Sequence, residues 1–268
     1  MNMRIFRDIF IVFQKEAKEY WRWKLHIVFD AFFPLLDTLL FILVWSAILK
    51  GGFEGYGMIT KENYIGFLIS GMIVWSFARN YLSGEFTRIF VEEKHRRTIQ
   101  YLLSSPISRI AIPYGKSLLP VLRSFFNSTI LILAGVSLGF VFKGNPILIF
   151  LIIFLTFITF SGIGLTIAAL GSWREDIADS GWLIYYIFEI TAGIYFPLDI
   201  LPQNIKNIFF VLPQAQAVQA MRMVVLGNAC FGDMMPYLLF LSFYAIVMIV
   251  IAILAFRFVE RKAMLVGI

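Results

Sequence analysis

The sequence is short of charge, cysteine and histidine. Only 15% of its residues are charged, against about 25% in soluble domains. Cys230 is the one cysteine, which excludes an intrachain disulfide and a thiolate metal cluster. The two histidines, His26 and His95, are far apart and show no metal-ligand spacing. There is no repeat of fixed period and no low-complexity linker. The first 24 residues are broken by Arg4, Arg7, Asp8, Lys15, Glu16, Lys18 and Glu19, which leaves no apolar core of the kind a secretory leader needs. What is abundant is grease. Apolar residues make up 60% of the chain and aromatics 17%, with 29 Phe, and the mean hydropathy is +0.81. Folding of a soluble chain this long removes only about three quarters of its surface from water. A soluble enzyme, a disulfide scaffold and a disordered chain are therefore disfavoured, and lipid is the expected solvent.

A bilayer core needs about 20 apolar residues in helix. Six stretches meet that need: Leu25 to Leu49, Tyr64 to Gly84, Leu118 to Phe142, Ile147 to Leu170, Ile177 to Phe196 and Tyr237 to Phe256. Residues 200–226 are also apolar, but Pro202, Lys206, Pro213 and Arg222 interrupt them. Proline removes a helical donor and clashes with the turn before it. The pieces beside Pro213 are too short to cross, so a re-entrant hairpin is expected. With six spans and both ends inside, 16 of the 23 Lys and Arg fall on the cytoplasmic side, five fall outside, and Arg79 and Arg123 lie within spans. That bias matches the positive-inside rule. A seventh span would move Arg257, Arg261 and Lys262 outside and weaken it. Topology thus accounts for the net charge of +6, and nucleic acid is not an expected partner. The longest outer loop, 50–63, leaves no room for a soluble domain.

The expected fold is all-α and integral to the membrane: six transmembrane helices in a single domain, 1–268. Residues 1–24 are expected to form a cytoplasmic interface helix. Ile5, Ile9, Val12, Phe13 and Tyr20 recur at helical spacing, and Trp21 and Trp23 follow, the type of ring that anchors at headgroup depth. The plainer reading is an extension of the first span into water. Residues 198–228 are the expected external re-entrant segment.

No catalytic constellation is visible. Gly115-Lys116-Ser117 resembles the end of a phosphate-binding P-loop, but that loop needs an earlier glycine where Ile110 stands, and a preceding strand. The informative stretch is cytoplasmic, residues 85–117. Phe86, Ile89 and Phe90 continue the second span beyond the membrane. Thr98 can cap a short helix carrying Ile99, Tyr101, Leu102 and Leu103, which Pro106 closes. A short half-apolar helix either enters a groove on another protein or packs against the chain's own interface helix.

This stretch resembles the permease subunits of ABC transporters of the type-2 exporter class. Their loop after the second span reads as an acidic residue, Gly-Thr-Leu-Glu, two leucines, a proline and Gly-Lys. Here stand Glu92-Glu93, Thr98-Ile99-Gln100, Leu102-Leu103, Ser105-Pro106, Arg109 and Gly115-Lys116. Arg97 replaces the glycine and Gln100 the glutamate. Gly193-Ile194-Tyr195-Phe196-Pro197, Leu201-Pro202, Leu212-Pro213 and Ala220-Met221-Arg222 match the late re-entrant segment. The resemblance implies a non-catalytic permease in the cell membrane, with two copies of a separate ABC ATPase subunit and a second permease chain, the homodimer being the simpler case. It implies no cofactor in this chain, ATP and Mg belonging to the ATPase. Residues 98–104 would be the coupling helix, and Glu92, Glu93, Arg96, Thr98, Gln100, Tyr101, Leu102 and Leu103 the ATPase contacts. The cargo of this class is amphipathic or lipid-like: a drug, a glycolipid or a lipid-linked glycan, moved outward.

Charges at mid-span cost roughly 2.5–3.5 kcal/mol on insertion scales unless paired or hydrated. Asp37 in the first span and Glu189 in the fifth are therefore candidate polar residues of the transport path, or else structural pairs at helix crossings. Asp30 lies on the face of Asp37. Gly162, Gly164, Gly171 and Ala168-Ala169 allow close helix approach, within the subunit or between subunits. The alternative functions are an ion-coupled secondary transporter, which lacks support from internal repeats, and a lipid-modifying membrane enzyme, which lacks a convergent His and carboxylate cluster.

Overall fold

The computed structural model describes residues 3–25, 27–29, 32, 33, 36, 39, 40, 44, 63–82, 84–97, 101, 105–108, 111–142, 144–227 and 229–266. Among them, every regular element is a helix: α1 (Met3–Arg22), α2 (Tyr64–Leu82), α3 (Gly84–Thr87), α4 (Ile89–His95), α5 (Ala111–Ser137), α6 (Pro146–Trp173), α7 (Glu175–Asp179), α8 (Gly181–Thr191), α9 (Gln203–Phe210), α10 (Pro213–Gly227) and α11 (Phe231–Val266). A 3₁₀ turn at Leu198–Ile200 precedes α9.

Helix α2 is the axis of the bundle. It is apolar on every side, the pattern of a helix buried all round, and 16 of its 19 residues are buried. Helices α5, α6 and α10 surround it. At about 1.5 Å per residue, α2 is roughly 28 Å long, the thickness of a bilayer's hydrocarbon core. Among the described residues, four helices are long and apolar enough to cross: α2, α5, α6 and the 231–259 part of α11. Helix α6 starts where its cap dictates. The Asn145 side chain accepts from the Ile147 amide at 2.9 Å, and Pro146 occupies the first turn. Helices α6 and α11 pack along their lengths, and a Cβ on Gly162 would come within 2.7 Å of the Met248 backbone. A Cβ on Gly164 would meet the Tyr81 carbonyl at 2.5 Å. Gly162 and Gly164 thus serve packing within the subunit.

Residues 177–196 depart from the expected single span at their end. They divide into part of α7, the 11-residue α8 and a turn. Ser180 carries the helix across the join of α7 and α8, its amide donating to the Asp176 carbonyl and its own carbonyl accepting from the Ile184 amide, both at 3.1 Å, so 175–191 runs about 25 Å. The cause of the departure is local: Gly193 adopts φ +67°, in the left-handed region that favours glycine, and folds the chain back so that Leu198 packs against it. Helices α9 and α10 meet at 95°, with the break at Val211-Leu212 before Pro213. The described positions from 27 to 44 are helical, but Asp30, Asp37 and the rest of the predicted first span lie outside the described residues.

Candidate coupling site

Helix α1 does not merely float beside the bundle. Its Asp8 and Val12 are each 2% exposed and face α5. A Cβ on Gly115 would lie 2.5 Å from the Val12 Cβ and 2.8 Å from the Ile9 carbonyl, so glycine is what lets the two helices touch. Val12, one of the apolar residues that recur at helical spacing, therefore packs on protein, and Ile9 is half-buried. Phe6, Phe10, Ile11 and Trp21 are the exposed side.

One residue further on, Lys116 is 2% exposed. Its Nζ donates to Glu16 Oε1 and Glu93 Oε1, both at 2.8 Å. Lys15 Nζ reaches the same oxygens at 3.4 and 3.1 Å. Two ammonium groups and two carboxylates thus join α1, α4 and α5 into a neutral clasp. Partial burial tends to lower the Lys15 pKa, but the Glu16 and Glu93 carboxylates outweigh it and hold the group above its usual value. That contribution is complete below the unfolded lysine range and is lost only as pH climbs through the raised folded value. Gly115-Lys116, which looked like a phosphate loop, is a helix contact and a clasp.

The stretch carrying the predicted contacts is tethered on both sides. Before it, Arg96 donates to Glu19 at 3.0 Å and to Glu92 at 3.5 Å. After it, Arg4 donates to the Pro106 carbonyl at 3.2 Å, and Asp8 accepts from the Ser108 amide at 3.0 Å. Tyr101 is helical and 77% exposed, and its carbonyl accepts from the Ser105 amide at 3.1 Å. Glu92 and Arg96 are exposed as well, whereas Glu93 is turned inward to the clasp. While the clasp stands, Glu93 acts on a partner only through α4. Thr98, Gln100, Leu102 and Leu103 lie outside the described residues. Arg97 ends α4 at φ +56°, its amide donating to the Lys94 carbonyl at 3.0 Å. This is the left-handed cap position that glycine fills at least cost, which explains why a glycine in the resembling loops falls at this residue.

A second tie joins α3 and α4 to α7. Arg88 pairs with Asp179, Thr87 donates to the Ala178 carbonyl at 3.0 Å, and Glu175 meets His95 at 3.2 Å and Lys94 at 3.5 Å. His26 lies outside the described residues, and no group of three or more His, Cys, Asp or Glu that could hold a metal occurs among the described ones. Glu189 is half-buried, and its Oε1 accepts from the hydroxyls of Tyr185 at 3.1 Å and Tyr195 at 2.8 Å. It thereby ties α8 to the turn at Gly193. Asp37, its proposed companion, lies outside the described residues.

Sequence reasoning missed a polar seam between α2 and α5. Ser76 and Ser128 share a hydrogen bond at 2.9 Å, Asn80 donates to Ser124 at 2.8 Å, and Ser124 donates to the Ser76 carbonyl at 3.0 Å. The signal was present as polar residues four apart in otherwise apolar helices. Such bonds between membrane helices average about 0.6 kcal/mol each.

Comparison with known proteins agrees with this architecture. A model of the ABC-2 type transporter family matches residues 7–226, from α1 through α10. The linearmycin resistance permease protein LnrN of Bacillus subtilis (strain 168) is 29% identical over 134 residues, which is 50% of this chain and 35% of that relative. The matched part thus spans about a third of the relative's length. With four helices of spanning length and a family match over most of its residues, this chain belongs to the ABC-2 type transporter family, as a multi-pass membrane subunit of the permease kind.

Proposed function

We propose that this chain is the membrane half of an ATP-driven exporter that moves an amphipathic or lipid-like substrate outward. Two such chains pair, a homodimer being the simplest arrangement, and two separate ATPase subunits dock beneath them. ATP and Mg remain in those partners. The chain crosses the cell membrane six times with both ends in the cytoplasm, and residues 198–228 form an external re-entrant hairpin. The 95° angle between two helices too short to cross supports the hairpin. The basic excess on one side supports the orientation. A relative named as a resistance permease supports outward movement, since resistance follows from removing a compound from the cell.

The observation that carries this reading is the double tether around residues 98–104. Arg96–Glu19 holds one side, Arg4–Pro106 and Asp8–Ser108 hold the other, and Tyr101 stands exposed between them. Ties on both sides of the exposed Tyr101 would pass a push on that residue into the helices they join. Here those are α1 and, through the clasp, the start of α5. ATP binding in the partner drives transport by favouring one arrangement of these ties over another, and only that difference in affinity does work.

The test is to co-express the chain with a soluble ABC ATPase, purify the complex and assay hydrolysis. A stable complex with substrate-stimulated hydrolysis is expected. Failure of any ATPase to associate removes the reading. Within the complex, Tyr101→Asp and Leu102→Arg are expected to lower stimulation by substrate at least tenfold while the chain's thermal midpoint stays within about 2 °C, as for surface changes. Unchanged stimulation in both would move the contact away from residues 98–104.

A further inference from the structure

A cavity of about 570 Å³ opens beside the clasp, between α1, the end of α2, α4 and α5. That is within the roughly 300–1,000 Å³ of small-molecule sites. Burial sorts its lining into zones. The deepest is the clasp, Lys116 with Glu16 and Glu93, whose charges cancel once Lys15 is counted. The cavity's aromatic residues are Tyr20 and Trp23 at the end of α1 and Phe86 from α3, with the Arg123 guanidinium 4.2 Å from the centre of the Tyr20 ring. The outermost groups are Glu19, Glu92 and Arg96, with side chains 42%, 49% and 61% exposed.

We infer that this cavity binds the headgroup of a zwitterionic phospholipid, its phosphate at Arg123 and its ammonium at Glu19 and Glu92. Beyond the neutral clasp the lining holds two carboxylates, Glu19 and Glu92, both bridged by Arg96 at 3.0 and 3.5 Å, and the guanidiniums of Arg96 and Arg123, so its net charge is zero and a ligand of either net charge would unbalance it. A headgroup with both signs a few ångströms apart meets a partner for each. Guanidinium is the side chain best matched to phosphate oxygens, and the exposed Trp23 ring suits an ammonium or its methyl groups. The depth is right for a lipid. Trp21 and Trp23 are 63% and 68% exposed, of the type that rests at the membrane–water boundary. From Arg123, the exposed Leu122, Phe125 and Phe126 continue along α5 and offer the acyl chains a path into the hydrocarbon. The inference stands on the cavity alone and needs neither the direction of transport nor the ATPase.

The test is native mass spectrometry of the full chain in detergent, with phosphatidylethanolamine and phosphatidylglycerol added in equal amounts. One phosphatidylethanolamine is expected to stay bound, about tenfold over phosphatidylglycerol. Arg123→Gln and Glu19→Gln are each expected to lower its retention about tenfold, the worth of one charge-assisted hydrogen bond. Phe243→Ala, on an exposed face of α11, leaves retention unchanged. Equal retention of the two lipids, full retention in both cavity variants, or displacement by excess inorganic phosphate would each overturn the proposal. Should the variants not fold, the unaltered chain decides. Phosphatidylethanolamine spin-labelled in its acyl chain near the glycerol is expected to quench tryptophan fluorescence, and Trp23→Phe to remove most of that quenching. Quenching that is absent, or that persists in Trp23→Phe, counts against the site.

Discussion

Two buried cations, Lys116 and Arg222, are held in opposite ways. Lys116 sits between two carboxylates on two other helices, with a second lysine beside them. Arg222, in α10, is also 2% exposed but has no carboxylate within ion-pair distance among the described residues. Its Nη2 donates to the Ile194 carbonyl at 2.8 Å, its Nε to the Phe67 carbonyl at 3.4 Å, and its guanidinium lies 3.4 Å from the centre of the Phe67 ring. Nearby, Gln214 donates to Thr191 at 2.8 Å. The difference is one of movable against fixed partners. Carboxylates on flexible stems can exchange lysines as helices shift, so the clasp survives rearrangement. Backbone carbonyls of packed segments cannot move independently, so Arg222 pins α10 to α2 and to the turn after α8. One end of the molecule is held by partners that can move, and the other by partners that cannot.

The sharpest way to break this contrast is Lys116→Ala. It leaves Glu16 and Glu93 to share Lys15 alone, one buried negative charge without compensation, and is expected to cost about 3 kcal/mol in reversible unfolding. If the clasp is a matter of charge, Lys116→Met combined with Glu16→Gln and Glu93→Gln recovers most of that loss. A triple variant as unstable as Lys116→Ala would show that shape, not charge, holds the three helices. At the other end, Arg222→Lys keeps the charge but loses the planar fork and the ring contact. A loss of about 2–3 kcal/mol is expected, from carbonyls left poorly satisfied, and substitution of no single carboxylate should restore it.

A smaller effect is expected at Gly115. Gly115→Val forces α1 away from α5 and should cost about 1–3 kcal/mol. It should also raise the labelling rate of a cysteine placed at Val12, which is buried in the unaltered chain. Unchanged labelling would mean that α1 is held by its ion pairs alone. The smallest change runs the other way. Arg97→Gly relieves a left-handed residue and is expected to stabilise the chain by about 1 kcal/mol, read as a rise in thermal midpoint. A fall instead would assign the Arg97 side chain a contact worth more than its backbone strain.

The chain's class, and much of its helix layout, was legible from composition and spacing. Long apolar runs reveal α2, α5, α6 and α11 because a bilayer demands about 20 such residues whatever their neighbours. Pro213 marks the break between α9 and α10 because proline acts on its own turn. The fifth run gives its helix but not its end: hydropathy sees that 177–196 is apolar, not that Gly193 turns the chain back. The site was half legible. Gly115-Lys116, Glu92-Glu93 and Arg96 could be singled out as residues, but not what each one does. Glu93 reads as a partner contact, and the fold also sets its carboxylate between two lysines, while Val12, on the apolar stripe of α1, is packed against Gly115. Burial and pairing depend on which helices come together across 78 to 100 positions of chain, as Lys15 does with Glu93 and Lys116 with Glu16. A local pattern carries no record of those distances, and only the folded bundle brings the four charges to one point.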